Sequence, residues 1–237
     1  GSLTSVSAGT SVLPYGRVQL GEWLYELAGV NLTQTAIPER TVELSGANIT
    51  MESTSTVDIS GGGDLYAYEW VPGTGGSKDA LDPTKSPGLY AILPSLRDQY
   101  APYDPQEFAA SDLSPGDSIY LGASDGLEAG FYPLLPARYA LLPGAMLVQA
   151  VPGTTDMRAG TTTTLPNGAH VVAGYRTFGS TGLGETRYTG YAVQPGSYAR
   201  QLATYQDSLA STFHPVRAER LEIENVPLPA DAGAFVL

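Results

Sequence analysis

The sequence predicts a mainly β protein, with partial parallel β-helix coils at both ends, an inserted β-sandwich-like module between them and one short helix. Three observations predict it. Apolar and polar residues alternate along the stretch from Thr56 to Leu81, with three glycines, Gly61 to Gly63, dividing one strand from the next. Pairs of hydrophobes recur near both ends of the chain, separated by small residues. Glycine (28) and proline (18) together make up about a fifth of the chain, a level that suits many turns between short strands and does not suit a helical protein.

Residues 1–40 read as a loop with strand pieces. Val18, Leu20, Trp23, Leu24 and Leu27 have the spacing of a turn or two of helix, but Gly16, Gly21 and Gly29 surround them. Residues 41–60 are more regular: Val42 and Leu44, Ile49 and Met51, then Val57 and Ile59. Strands this short do not pair stably as ordinary hairpins. Stacked as faces of a coil, they bury their apolar side chains inward and need neighbouring coils above and below.

From residue 64 the pattern changes. Tyr66, Tyr68 and Trp70 share one face of a strand, expected to be core, with Leu65, Ala67 and Val71 opposite. A form Y-x-[IL]-L-P occurs at Tyr90–Pro94, Tyr132–Pro136 and Tyr139–Pro143, and Val71-Pro-Gly-Thr74 recurs as Val151-Pro-Gly-Thr154. The prolines are expected to end strands or to mark edges, because they donate nothing to a ladder. Further strands are expected at Ser118–Leu121, Met146–Ala150, Ala169–Tyr175 and Tyr188–Val193, with turns at Ser114–Asp117 and Pro166–Gly168. Residues 197–212 carry the expected helix: Leu202, Tyr205 and Leu209 fall at i, i+3 and i+7, Ser197 offers a cap and Pro215 bars extension. Leu221 with Ile223, Val226 with Leu228, and Phe235 with Leu237 then resume the short alternation. The expected organisation is an N-terminal segment with a coil over 1–63, an inserted β-rich module over 64–215 and a returning coil over 216–237, as a fragment of something longer.

The chain has 24 acidic and 12 basic residues, a net charge of −12, which disfavours a nucleic acid as partner. It has no cysteine, which excludes disulfides and thiolate chemistry. No apolar run approaches the roughly 20 residues of a spanning helix.

Four runs, taken in order, resemble the filamentous haemagglutinin family, the large secreted exoproteins of two-partner secretion in Gram-negative bacteria. They are Val57–Ser77, Tyr132–Gly144, Val171–Arg176 and Leu228–Gly233. The resemblance implies an extracellular, right-handed β-helix shaft that reaches the cell surface through an outer-membrane secretion partner and adheres to surfaces or host cells. No cofactor and no enzymatic activity are expected.

The candidate chemistry is sparse. Asp58, Asp64 and Glu69, and separately Asp98, Asp104 and Glu107, are the carboxylate groups that a polysaccharide-acting enzyme would need to converge in one cleft. Gly61–Asp64 lacks the spacing of a calcium-binding glycine–aspartate repeat; it reads as a turn, with Asp58, Asp64 and Asp125 as weak oxygen ligands at most. His170 and His214 stand apart, with no motif partner for a triad or a metal. Gly182–Thr186 matches no phosphate-binding loop. Asn31-Leu-Thr33 and Asn48-Ile-Thr50 match the glycosylation sequon, which in a bacterial protein is a chance match. Of the fifteen tyrosines, Tyr100 and Tyr103 lie in a proline-rich loop and are the ones expected to be exposed and to contact a ligand. The expected function is a structural or interaction segment of a secreted adhesin, with a host-cell or surface glycan or protein as partner. The competing readings are a carbohydrate-binding module and, behind it, an enzyme on a β-helix.

Overall fold

A computed structural model of the chain describes residues 1–73, 76–166, 168–224 and 226–237. The protein is mainly β, in two compact units: Gly1–Glu69 with Gln206–Leu237, and Trp70–Tyr205. We call these unit 1 and unit 2.

Unit 1 begins with β1 (Leu3–Ser5), β2 (Val12–Pro14), β3 (Arg17–Gln19), β4 (Glu22–Leu27) and β5 (Val30–Thr33). It continues with β6 (Thr41–Glu43), β7 (Thr56–Asp58) and β8 (Asp64–Val71), along which the chain passes into unit 2. Strands β3, β4 and β5 form an antiparallel meander. The spacing that resembled a helical turn there is a pair of hairpins. Leu20 and Gly21, then Ala28 and Gly29, all have positive φ, the geometry of two-residue turns that match strand twist.

The other pairings of these strands are parallel and long-range. Leu3 pairs with Thr56 and Val12 with Asp64, so β1 on β7 and β2 on β8 have the same offset to within one residue. Of the hydrophobe pairs expected to form strands, Val42 is in β6 and Val57 in β7. Ile49 and Met51 lie outside any strand and are exposed.

Unit 2 holds β9 (Leu89–Ile92), α1 (Pro105–Phe108), β10 (Ser118–Leu121), β11 (Gly130–Pro133), β12 (Leu135–Pro136) and β13 (Met146–Ala150). It continues with β14 (Thr162–Thr164), β15 (His170–Phe178), β16 (Leu183–Gly184), β17 (Thr189–Pro195) and α2 (Ala199–Leu202). All nine strands belong to one antiparallel sheet, ordered β11-β10-β15-β17-β13-β9-β12, with β14 and β16 also on β15. The expected β-sandwich-like module is therefore corrected. The two ends of the order, β11 and β12, are separated in the chain by Leu134 alone, so one segment pairs with both β10 and β9. A sheet joined this way curls on itself and leaves few free edges.

Register places Ile119 opposite Tyr132, Val172 opposite Tyr191, and Val148 opposite both Val193 and Tyr90. All seven are buried and fill the inner face. The three Y-x-[IL]-L-P copies adopt different structures. Tyr90 is in β9, Tyr132 to Pro136 span β11 and β12, and Tyr139 lies in a 3-10 helix over Ala137–Leu141, so the third copy ends no strand. Asn167 of the turn expected at Pro166–Gly168 and the end of the motif at Thr74 lie outside the described residues, as does Asn225.

The chain returns to unit 1 along β18 (Thr204–Leu209), followed by α3 (Ala210–Leu221) and β19 (Ala234–Val236). In place of one helix over 197–212, a 3-10 turn, α2 and β18 divide the span, and the longest helix starts where the expected one was to end. Leu202, Tyr205 and Leu209 have helical spacing but sit in three settings: a helix end, a buried strand position and an exposed strand end.

The Leu209 side chain at the helix N-cap has no oxygen to offer. Asp64 of β8 supplies the cap from across the unit, accepting from the Ser211 amide at 3.1 Å and from the Ser211 hydroxyl. Pro215 sits inside α3 and removes one helical donor without ending the helix. Leu221 is therefore helical and Ile223 lies past the helix, where a strand was expected. β19 pairs in parallel with β6, Ala234 opposite Thr41.

Unit 1 is built around Trp23, which is fully buried. Its indole N–H donates to the Tyr15 carbonyl at 2.9 Å, and it meets Phe213 edge-on and His214 face-on, both at 5.3 Å. Val18, Ala67 and Ala210 complete the cluster. The three glycines also gain a reason. Gly62 has φ of 128°, and a Cβ on Gly61 would collide with the Ala230 carbonyl. The Gly62 amide donates to the Pro229 carbonyl at 2.7 Å, and the Arg40 guanidinium donates to that same carbonyl at 2.7 Å.

Candidate functional site

The candidate site is a groove of about 370 Å³ in unit 2, between the loop at residues 98–103 and the turn at Ser114–Asp117. Local chemistry sets both walls. Asp104 caps α1, accepting from the Gln106 amide at 2.8 Å, and Pro105 occupies the first helical position. The loop before this helix is anchored at its other end by Asp98. The Asp98 amide donates to the Phe131 carbonyl at 2.7 Å, and the Asp98 carboxylate accepts from the Phe131 amide at 3.1 Å. The opposite wall is a turn with proline second and Gly116 third at φ of 82°, a type II arrangement. Asp117 closes it, accepting from the Ser114 amide at 3.0 Å and from the Gly179 amide at 2.9 Å.

Tyr100 and Tyr103 both line this groove. Tyr100 is 96% exposed and Tyr103 45%, so the first has no packing role and the second a partial one. Tyr103 leans on Phe108 at 4.8 Å, and Phe108 on the buried Tyr139 at 6.4 Å. Phe131, 37% exposed, forms part of the groove floor and also belongs to a wider aromatic cluster with Tyr120, Tyr175 and Tyr188. Sequence reasoning missed these four. The strand expected at Ser118–Leu121 implied that Tyr120 faces away from Ile119 and Leu121, but no local signal says which strands lie beside it.

Beneath the groove lies a polar group on the inner face of the sheet. Arg176 of β15 donates to the Tyr90 hydroxyl at 2.8 Å and to Asp112 at 3.1 Å, and pairs with the buried Asp117 at 3.6 Å. Its guanidinium lies over the Tyr90 and Phe178 rings. The Tyr90 hydroxyl donates to Asp112 at 2.8 Å. Burial, then the Asp112 carboxylate, pushes the Tyr90 hydroxyl up to about 12. Burial raises Asp112 as well, but the hydrogen bonds from Tyr90 and Arg176 outweigh it and hold the carboxyl below its ordinary value. This group braces the wall that Asp117 forms.

The six carboxylates proposed for catalysis each have a structural partner. In unit 1, Asp58 accepts from Ser60 and Ser5, hydrogen bonds that hold its carboxyl below the ordinary value. Asp64 caps α3, and Glu69 accepts from the Leu20 amide at 3.1 Å. In unit 2, Asp104 caps α1, and the buried Glu107 pairs with Arg138. Of the six, Asp98 alone lines the groove.

His214 is buried against Trp23. Burial, then the Arg217 charge, lowers its pKa, and Asp64 opposes this. His170 lies in β15. Among the described residues, no group of three or more His, Asp or Glu side chains is placed to hold a metal ion. Of the aromatic face expected in the core, Tyr66 is buried and donates to Asp207 at 2.6 Å, while Tyr68 and Trp70 are half-buried. Asn31 falls in β5, and Asn48 is exposed outside any strand. No family model, curated protein or solved structure matches the chain.

Proposed function

We propose that the chain is a non-enzymatic interaction segment of a large secreted bacterial adhesin of the filamentous haemagglutinin type. In this reading unit 1 is two stacked turns of a right-handed β-helix and unit 2 is an insertion carried by the second turn. The observation that carries it is the shared offset of β1 on β7 and β2 on β8. With β6 on β19 as a third parallel pair, β1, β2 and β6 make one turn and β7, β8 and β19 the next. Each turn is interrupted after its second strand, by the β3–β5 meander in the first and by residues 70–205 in the second.

The parent protein is then extracellular, at the bacterial surface, and exported through an outer-membrane partner. Its partner on the far side is a host-cell or surface glycan or protein. The test is adhesion of beads coated with the full chain to cultured epithelial cells. Saturable adhesion above albumin-coated beads is expected; adhesion equal to albumin would sink the reading. A carbohydrate-binding module is the second reading, favoured by the exposure of Tyr100 and Tyr103 along a groove.

A further inference from the structure

Four aromatic side chains make one row across the sheet of unit 2. Tyr120 pairs with Phe131 on one side and with Tyr175 on the other. Gly174 pairs with Thr189, so the next position sets Tyr188 beside Tyr175. Tyr120 and Tyr175 stack at 5.3 Å. Phe131 meets Tyr120 edge-on at 5.3 Å, and Tyr188 meets Tyr175 edge-on at 5.2 Å. At the spacing of neighbouring strands the row runs for about 14 Å. None of the four is buried.

The next rung on the same face is Ser118 opposite Thr177, whose hydroxyls share a hydrogen bond. A line of rings beside a pair of hydroxyls suits a ligand that is apolar on one face and hydroxylated at its edges. A sugar chain has that character. A protein partner would require a wider apolar centre than a single row bordered by hydroxyls. The net charge of −12 disfavours a polyanion. Phe131 belongs both to the row and to the groove that holds Tyr100 and Tyr103, so the row and groove form one continuous strip.

We propose that the row Phe131–Tyr120–Tyr175–Tyr188 is the binding platform for a neutral, linear oligosaccharide that continues over Phe131 into the groove. The proposal rests on the carbohydrate reading of unit 2 and gives it residues and a ligand class.

The test is native electrophoresis of the full chain through gels containing neutral glucan, mannan, galactan or xylan, with heparin as the polyanion control. At least one neutral polysaccharide should retard the chain. Phe131→Leu and Tyr188→Leu keep apolar bulk and remove a ring, and each should weaken retardation about tenfold. Phe131→Ala and Tyr188→Ala should match them, with thermal unfolding as the check that each variant folds. Tyr25→Ala, which removes a ring stacked on Tyr15 in unit 1, should leave retardation unchanged. Retardation by a neutral polysaccharide that all four variants retain would overturn the row and leave the carbohydrate reading standing. No retardation in any neutral gel, or retardation by heparin alone, would overturn both.

Discussion

The two units solve the same problem, many short strands, in opposite ways. In unit 2 neighbouring strands pair antiparallel, and one segment closes the order. Most of the buried hydrophobic residues lie there, on both faces of a single sheet and in the segments that connect its strands. In unit 1 the parallel pairings join strands brought together from far along the chain: β1 with β7 and β6 with β19 are pairs of three-residue strands that bury little, and β2 lies on the longer β8. What stabilises unit 1 is concentrated at one place, where Trp23 meets Phe213, His214, Val18 and Ala67. A sheet that closes on itself distributes its stability, whereas unit 1 concentrates it in one cluster around Trp23.

The largest test of that contrast is Trp23→Ala. Removing a fully buried tryptophan should cost about 3–5 kcal/mol. Hydrogen exchange read by mass spectrometry should show protection lost over residues 1–69 and 206–237 and kept over β10, β15 and β17. Equal loss in both units would mean that they unfold as one body and that the contrast is false.

The smaller test probes how unit 2 spreads its load. Tyr90→Phe removes a donor to Asp112 and an acceptor for Arg176. Hydrogen bonds to charged groups make this a loss of about 1.5–3 kcal/mol in urea unfolding. Protection should fall evenly across the sheet. A loss confined to β9 would show that the sheet is less cooperative than its closed order implies.

The smallest effect is the order in which acid loosens the units. Burial holds His214 below its ordinary value, so the unfolded chain takes up that proton first. Its contribution to unit 1 is therefore full above the ordinary histidine range of about 6.5 and is lost as pH falls below it. Asp112 has the opposite chemistry and the same direction of loss. Its carboxyl is held below the ordinary value, so its contribution to unit 2 is present above about 3.9 and is lost only as pH falls through the lower folded value. On acidification, exchange should rise in unit 1 before unit 2, and His214→Gln should remove the early step. Simultaneous loosening would count against both assignments.

Much of the β content is legible in the sequence. Alternation at Ser118–Leu121, Met146–Ala150 and Tyr188–Val193 marks strands β10, β13 and β17, and Ser114–Asp117 marks its turn. The errors have physical causes. Leu202, Tyr205 and Leu209 satisfy a helical period, but β18 takes two of them into a sheet with β8 and β2. Pro215 reads as a stop, yet α3 runs through it with the loss of one helical donor, its first turn capped by Asp64 from more than a hundred residues earlier in the chain. Ile49 and Met51 alternate like a strand, but among the described residues no strand pairs with them. At the candidate site, Tyr100 and Tyr103 stand out because a proline-rich loop is a local signal. Tyr120, Phe131, Tyr175 and Tyr188 do not, because each sits in a different segment.

By itself the sequence determined a chain of short strands and tight turns, an acidic surface and the absence of thiol chemistry. Alternation, glycine and proline act within a few residues of themselves, and charge and composition need no fold at all. Only the tertiary structure decided which strands pair: one antiparallel sheet whose order is closed by β11 and β12, and β1 on β7 and β2 on β8, which meet in parallel across fifty residues or more. It alone put four rings in a line, because which strands lie side by side is set by chain closure and the packing of the whole sheet.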